Sequence, residues 1–166
     1  MGHITQSIAL RSILERNGHT IADTFLGTSF NGRKKPFYAD FPHSSFLSPG
    51  FLKRTDRLGI NLFASFAVNI VFSPLYFVSI IRLAYKVRIS DCDAVVVFYD
   101  LVGQLATFFS FSGKPVYSVS HHFFFDHPSF KWPPSRKAER ALLIIHSRIA
   151  SLGSVRKLAL SFTKED

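Results

Sequence analysis

Cysteine occurs once, at Cys92, so no internal disulfide can form, and a reducing cytoplasmic setting is favoured over a secreted disulfide scaffold. Acidic residues are scarce, with 11 Asp and Glu against 20 Lys and Arg. That imbalance calls for an anionic partner or surface, and nucleic acid, anionic lipid and phosphorylated small molecules all fit it. Nucleic acid is disfavoured, because the chain has no arginine-rich tract, no zinc-finger spacing and no RNP-like aromatic motif. There is no GxSxG turn, which leaves hydrolase chemistry without support. With one cysteine and no HExxH pattern, zinc is disfavoured too, although His127 follows His121 and His122 closely. The N-terminus is polar and lacks the basic-then-apolar order of a secretory signal. No strand-like segment stands before the first helical pattern, and no internal repeat or low-complexity tract occurs.

What the chain has in abundance is apolar and aromatic. At 166 residues and 47% hydrophobic content it has the size and composition of one packed domain. The 19 phenylalanines are concentrated between Phe63 and Phe130, and they require either a large aromatic interior or an apolar exposed surface.

From His3 to Asn17, Ile4 with Ile8, Ala9 with Ile13 and Leu10 with Leu14 recur four apart, which predicts a helix. Asn17-Gly18 ends it, with Gly18 in the left-handed conformation of a C-cap. The following "HTIADTFLG" reads as a strand entering a loop. Residues 29–59 carry Pro36, Pro42, Pro49 and several glycines among basic and aromatic residues, and read as a long irregular region. An apolar helical region over 60–88 comes next. Its core, Ile60 to Ile81, has no charge and is long enough for the roughly 20 residues of a bilayer span. Against a span, Asn61, Ser65, Asn69 and Ser73 form a polar stripe at four-residue intervals, and Pro74 kinks the helix or breaks it in two. A buried or membrane-surface helix pair is therefore preferred, and flanking basic groups suit an interface.

The rest alternates strand and helix. "DAVVVFYD" has the continuous apolar character of a parallel strand buried on both faces. "LVGQLATFFSFSG" has helical spacing, "VYSVS" is a second strand, a helix follows near Arg136 to Ser151, and "RKLALSF" is a last strand. Such alternation predicts an α/β fold with a Rossmann-like doubly wound parallel sheet.

In open α/β sheets, ligands bind beyond the carboxyl ends of the strands and at helix N-termini. That rule selects Gly2 and His3 at the start of the first helix, Asp100 after "AVVVFY", and His121 and His122 after "VYSVS", with Asp126 and His127 beyond them. Gly2-His3 can cradle an anion or a substrate, with His3 exchanging a proton, but an ordinary capped helix end accounts for the same dipeptide. Asp100 can accept a proton or bind sugar hydroxyls, and an aspartate after a strand is equally a common N-cap. His121 and His122 should point in opposite directions, so that at most one faces a cleft.

"MGHITQSIALRSILERNGHTI", with Gly-His at both ends of a helix, resembles the opening helix of GT-B glycosyltransferases of the MurG-like kind. "DAVVVFYDLVGQLATFFSFSGKPVYSVSHHFFFDHPSF" is similar to the later half of the same N-terminal domain in that family. The resemblance covers most of the chain except residues 29–59. It implies two Rossmann-like domains, with the acceptor bound by the N-terminal one and the nucleotide sugar by the C-terminal one. The chain then reads as a single incomplete GT-B N-terminal domain over 1–166, lacking the first strand and the donor domain, with Met1 an internal methionine of a longer protein.

By that resemblance the function is transfer of a hexosyl or N-acetylhexosaminyl group from a nucleotide-sugar donor to a sugar or lipid-linked acceptor. His3 or Asp100 serves as the catalytic base. Gly2, His3, Asp100, His121 and His122 bind substrate, and neither metal nor cofactor is called for. The donor site lies on a missing or separate domain, so the isolated chain is expected to be inactive. With a central strand position empty, it is also expected to be unstable or aggregation-prone. In the family an apolar patch with basic neighbours meets the membrane. Ile60 to Ile81 is the counterpart, giving a cytoplasmic protein held peripherally at the inner face of the cell membrane. Two other readings remain. One is a non-catalytic, membrane-associated acceptor-binding subunit that needs a separate donor-binding chain, and the other is an unrelated Rossmann-like domain for a phosphorylated ligand.

Overall fold

The computed structural model describes residues 2–30, 42–52, 61–126, 130, 132 and 137–159. The described chain is α/β with parallel strands. In order it runs through α1 (Gly2–Arg16), β1 (Phe25–Thr28), β2 (Ser44–Leu47), α2 (Leu62–Ile89), β3 (Val95–Val97), α3 (Leu101–Phe109), β4 (Val116–Ser120), a 3-10 turn (His121–Asp126), α4 (Lys137–Ile149) and β5 (Arg156–Ala159).

The strands do not form the single sheet expected. They make two, a parallel β1-β2 pair and a parallel sheet in the order β3-β4-β5. β4 is the central strand of the larger sheet and is mostly buried, whereas β5 is exposed along its length. β2 falls inside the region read as irregular, where Phe46 and Leu47 supply only two inward residues after an exposed Ser44 and Ser45. Residues 31–41 and 53–59 of that region lie outside the described residues, as does residue 60 at the start of the apolar helical region.

Local chemistry explains most boundaries. α1 ends in a Schellman cap: His19 N donates to Leu14 O at 3.0 Å and Gly18 N to Glu15 O at 3.1 Å, with Gly18 at φ +82°. No described residue of α1 is fully buried. α2 starts at Asn61, whose side chain accepts from Ala64 N at 3.1 Å. At its other end Lys114 Nζ donates to Val87 O at 2.7 Å and also to Ser90 O, covering carbonyls that the helix leaves without partners.

α2 is one helix of 28 residues, not a pair split at Pro74. Proline at 74 has no N–H for the carbonyl of Ile70. Ser73 Oγ donates to that carbonyl at 2.7 Å instead, so the helix continues.

The inner face of α2 packs on the β1-β2 sheet and on α3. Leu83 and Ala84 meet Ala106 of α3, with Phe25 of β1, Phe46 of β2 and Ile80 against them. A polar network sits under β4: fully buried Gln104 donates from Nε2 to Leu152 O at 2.6 Å and to Ser154 Oγ at 3.0 Å, and accepts from Ser118 Oγ at 2.8 Å. Because each member has a partner, the network fixes the loop before β5 against α3 without an orphaned polar group. Among the described phenylalanines only Phe123 is fully buried; Phe25 and Phe46 pack half-buried against the core, and seven, among them Phe66, Phe77 and Phe111, are exposed, so the aromatic excess is divided between interior and surface.

Candidate functional site

β3 delivers its chain to the site through a strained turn. Tyr99 adopts φ +48°, the left-handed region that a bulky aromatic seldom occupies. The turn sets Asp100 in extended geometry at the N-cap of α3, where Oδ1 accepts from Gly103 N at 2.7 Å. Oδ2 accepts from Ser48 Oγ at 2.7 Å, just beyond β2. A Cβ on Gly27 of β1 would collide with Oδ2 and come within 3.1 Å of Ser48 Cβ. Glycine at 27 is therefore what lets the carboxylate lie against β1. The C-terminal ends of β1, β2 and β3 thus meet at Asp100.

Four rings gather on the other side of this turn. Tyr99 stacks on His122 with centroids 4.5 Å apart and lies 5.1 Å from His146 of α4. The Tyr99 hydroxyl and Ser147 Oγ share a hydrogen bond of 3.0 Å. His121 and His122 are 3.9 Å apart, in contact and not on opposite faces. The expectation of opposite directions assumed a strand, but β4 ends at Ser120 and both histidines lie in the 3-10 turn. Ser120 Oγ accepts from His122 N at 2.9 Å and lies 3.2 Å from His122 Nδ1, which fixes the ring.

Burial pushes the Asp100 carboxyl above the ordinary carboxylate range, against the opposing pull of Gly103 N–H, the Ser48 hydroxyl, Val102 N–H and the charge of His146. Burial pushes His146 down, and Asp100 pulls it back up. The two shifts bring the proton affinities of the carboxylate and the imidazole closer together than those of the free groups.

Of the residues selected from sequence, His121 and His122 touch each other, and Asp100 directly follows Tyr99, the ring that stacks on His122. Gly2 opens α1, and the side chain of His3 lies outside the described residues, as do the side chain of Asp126 and all of His127. Among the described residues no three His, Cys, Asp or Glu come together as a metal would need. Sequence reading missed His146, Tyr99 and Ser48. For His146 a signal existed: Leu143, His146, Ser147 and Ala150 share the helical spacing of an inward face, with Ser147 and Ala150 buried. An open cleft of about 430 Å³, lined by Ala22, Asp23, Lys86, Ile89, Ser90 and Asp91, lies instead at the opposite, N-terminal ends of β1 and β3. No protein-family model, curated protein or solved structure matches this chain.

Proposed function

We propose that the chain forms the acceptor-side half of a GT-B-like glycosyltransferase, taking part in sugar transfer from a nucleotide-sugar donor to a sugar or lipid-linked acceptor. The observation that carries this reading is the placement of Asp100 just beyond the C-terminal end of β3, with the rings of His122 and His146 against its neighbour Tyr99 and His121 against His122, at the end of parallel strands where α/β folds bind ligands. The strand arrangement supports the Rossmann-like, incomplete GT-B form, since every pairing among the described strands is parallel.

In this reading an acceptor hydroxyl binds at Asp100. Its raised proton affinity suits a general base that receives the hydroxyl proton as the acceptor oxygen attacks the anomeric carbon and the nucleoside diphosphate leaves. His121 and His122 wall the acceptor. His3 is the other candidate base, and with Gly2 it contributes from the start of α1. The donor is held by a separate domain or chain, and the protein works on the cytoplasmic face of a membrane.

One observation favours the second reading, a non-catalytic acceptor-binding subunit. Both carboxylate oxygens of Asp100 are already engaged, one by Gly103 N and one by Ser48 Oγ, so a purely structural cap accounts for them.

Backbone NMR of the full chain, titrated with methyl glycosides of hexoses and N-acetylhexosamines and separately with UDP- and GDP-sugars, tests the proposal. Shifts at Tyr99, Asp100 and His122 with a glycoside, lost in Asp100→Ala and without response to the nucleotide sugars, are expected. Tight nucleotide-sugar binding by this chain alone overturns it in favour of a domain for phosphorylated ligands, and the lack of any glycoside response removes the acceptor site.

A further inference from the structure

The polarity of α2 is inverted. Ser65 is buried and donates to Asn61 O at 2.6 Å while accepting from Leu52 N at 2.8 Å. Asn69 turns inward as well: its Nδ2 donates to Gly50 O at 3.0 Å, and its Oδ1 accepts from Tyr76 OH at 2.8 Å. The two middle members of the polar stripe seen in the sequence therefore face the protein, whereas Asn61 and Ser73 at its ends are exposed. The opposite face is left to solvent and is apolar, with Phe66 68%, Val71 74% and Phe77 63% exposed, and Ile70, Ile81 and Ile89 more than half exposed. In a water-facing helix the two faces are the other way round.

Charge on this helix is of one sign. α2 contains no acid, and its exposed cations Arg82, Lys86 and Arg88 all lie in the last third. At 100° per residue Arg82 and Lys86 fall on one flank of the apolar face, and Arg88 at its C-terminal end. Ala64–Ile89 is long and apolar enough to cross a membrane by length and composition. The inner face excludes that topology, since Leu83 and Ala84 are packed against β1, β2 and α3, and Lys114 Nζ is bonded to Val87 O. A helix gripped along one side by a sheet domain can enter lipid only with its other side.

We propose that α2 lies in the plane of an anionic bilayer surface, with the face centred on Ile70, Phe77 and Ile81 inserted among the acyl chains and Arg82, Lys86 and Arg88 at the level of the headgroups. Such a helix buries its apolar side about 5–10 Å deep. With α2 as the anchor, the domain is held against the membrane along the whole helix. The inference rests on the surface of α2 alone, so it stands or falls independently of sugar transfer.

Cell-free synthesis of the full chain beside vesicles, followed by flotation, tests it. Vesicles of equal parts phosphatidylcholine and phosphatidylglycerol should carry the protein up the gradient, and pure phosphatidylcholine vesicles should carry much less. Arg82→Ser with Arg88→Ser should weaken binding to anionic vesicles about 20-fold. Phe77→Glu with Ile81→Glu, both at exposed positions, should weaken it about a hundredfold or more while leaving the far-UV spectrum unchanged. The proposal is overturned if the wild-type chain stays at the bottom of the gradient or if the glutamate pair floats like wild type. A discrete dimer dissolved by that pair, without flotation, would show that a second copy covers the face. Resistance to alkaline carbonate extraction would show a span.

Discussion

Ser48 Oγ donates to Asp100 Oδ2 at 2.7 Å, joining the residue that follows β2 to the residue that caps α3. The contact crosses between the two sheets, whose strands make no ladder with each other. It also meets Gly27 of β1, so all three elements are registered against one carboxylate. A group that holds two sheets together and sits at the ligand-binding end of the strands links fold stability to any chemistry performed there.

Ser48→Ala removes a hydrogen bond to a half-buried carboxylate and is expected to cost about 1.5–3 kcal/mol in urea unfolding at neutral pH. Without that donor, the Asp100 carboxyl should titrate still higher, because burial is the dominant influence on it. Carbon-detected NMR of the carboxyl reads the shift. A cost near zero would mean that the two sheets are held together elsewhere.

His146 gives stability a pH dependence of definite sign. Its proton affinity is lowered on folding, so above the ordinary histidine value of about 6.5 it is neutral in both states and adds no slope. As pH falls from there through the lowered native value, the unfolded chain takes up the proton first, and stability drops. Asp100 acts in the opposite sense: its contribution is complete below the ordinary carboxylate value and is lost as pH rises through the raised native value. His146→Gln should flatten the near-neutral limb of the urea midpoint against pH. Asp100→Asn, which keeps an N-cap residue, should flatten the acidic limb and lower the His146 titration further.

Gly27→Ala should destabilise although the backbone at 27 has no positive φ and alanine suits a strand better than glycine. The added methyl meets Asp100 Oδ2 and Ser48 Cβ, and displacing them should cost about 1–3 kcal/mol. In an Asp100→Ala background the same substitution should cost little. Thermal melts of the four proteins give the coupling directly. An unchanged or raised melting temperature for the single variant would rule out the close approach.

Elements were legible from local signals where one residue type dictates the geometry. Asn17-Gly18 ends α1, "VYSVS" is β4, and Asp100 caps α3, one of the two roles open to it. What could not be read depends on contacts far along the chain. Four-residue spacing shows that Ser65 and Asn69 share a face, but only their bonds to Gly50 and Leu52 decide that it points inward. The phenylalanine excess likewise left interior and surface equally open until packing divided it between the two. His146 carries no motif, and it joins the site only because α4 returns beside the turn at Tyr99.

Ser73 and Pro74 should show energetic coupling that neither would show alone. Proline at 74 leaves the Ile70 carbonyl without its i+4 donor, and Ser73 Oγ at 2.7 Å takes that place. Ser73→Ala should therefore cost about 0.5–1.5 kcal/mol in the wild-type background, the worth of one hydrogen bond. Pro74→Ala restores the backbone donor and removes the ring from the helix interior, and is expected to stabilise by about 1–3 kcal/mol. With Ala at 74 the carbonyl is satisfied by the backbone, so adding Ser73→Ala should then change stability very little. Urea unfolding of the four proteins, followed by far-UV circular dichroism, closes the cycle. An equal cost for Ser73→Ala in both backgrounds would mean that the hydroxyl does not serve the carbonyl freed by proline, and that the continuity of α2 comes from the packing of its inner face against Phe25, Phe46 and Ala106.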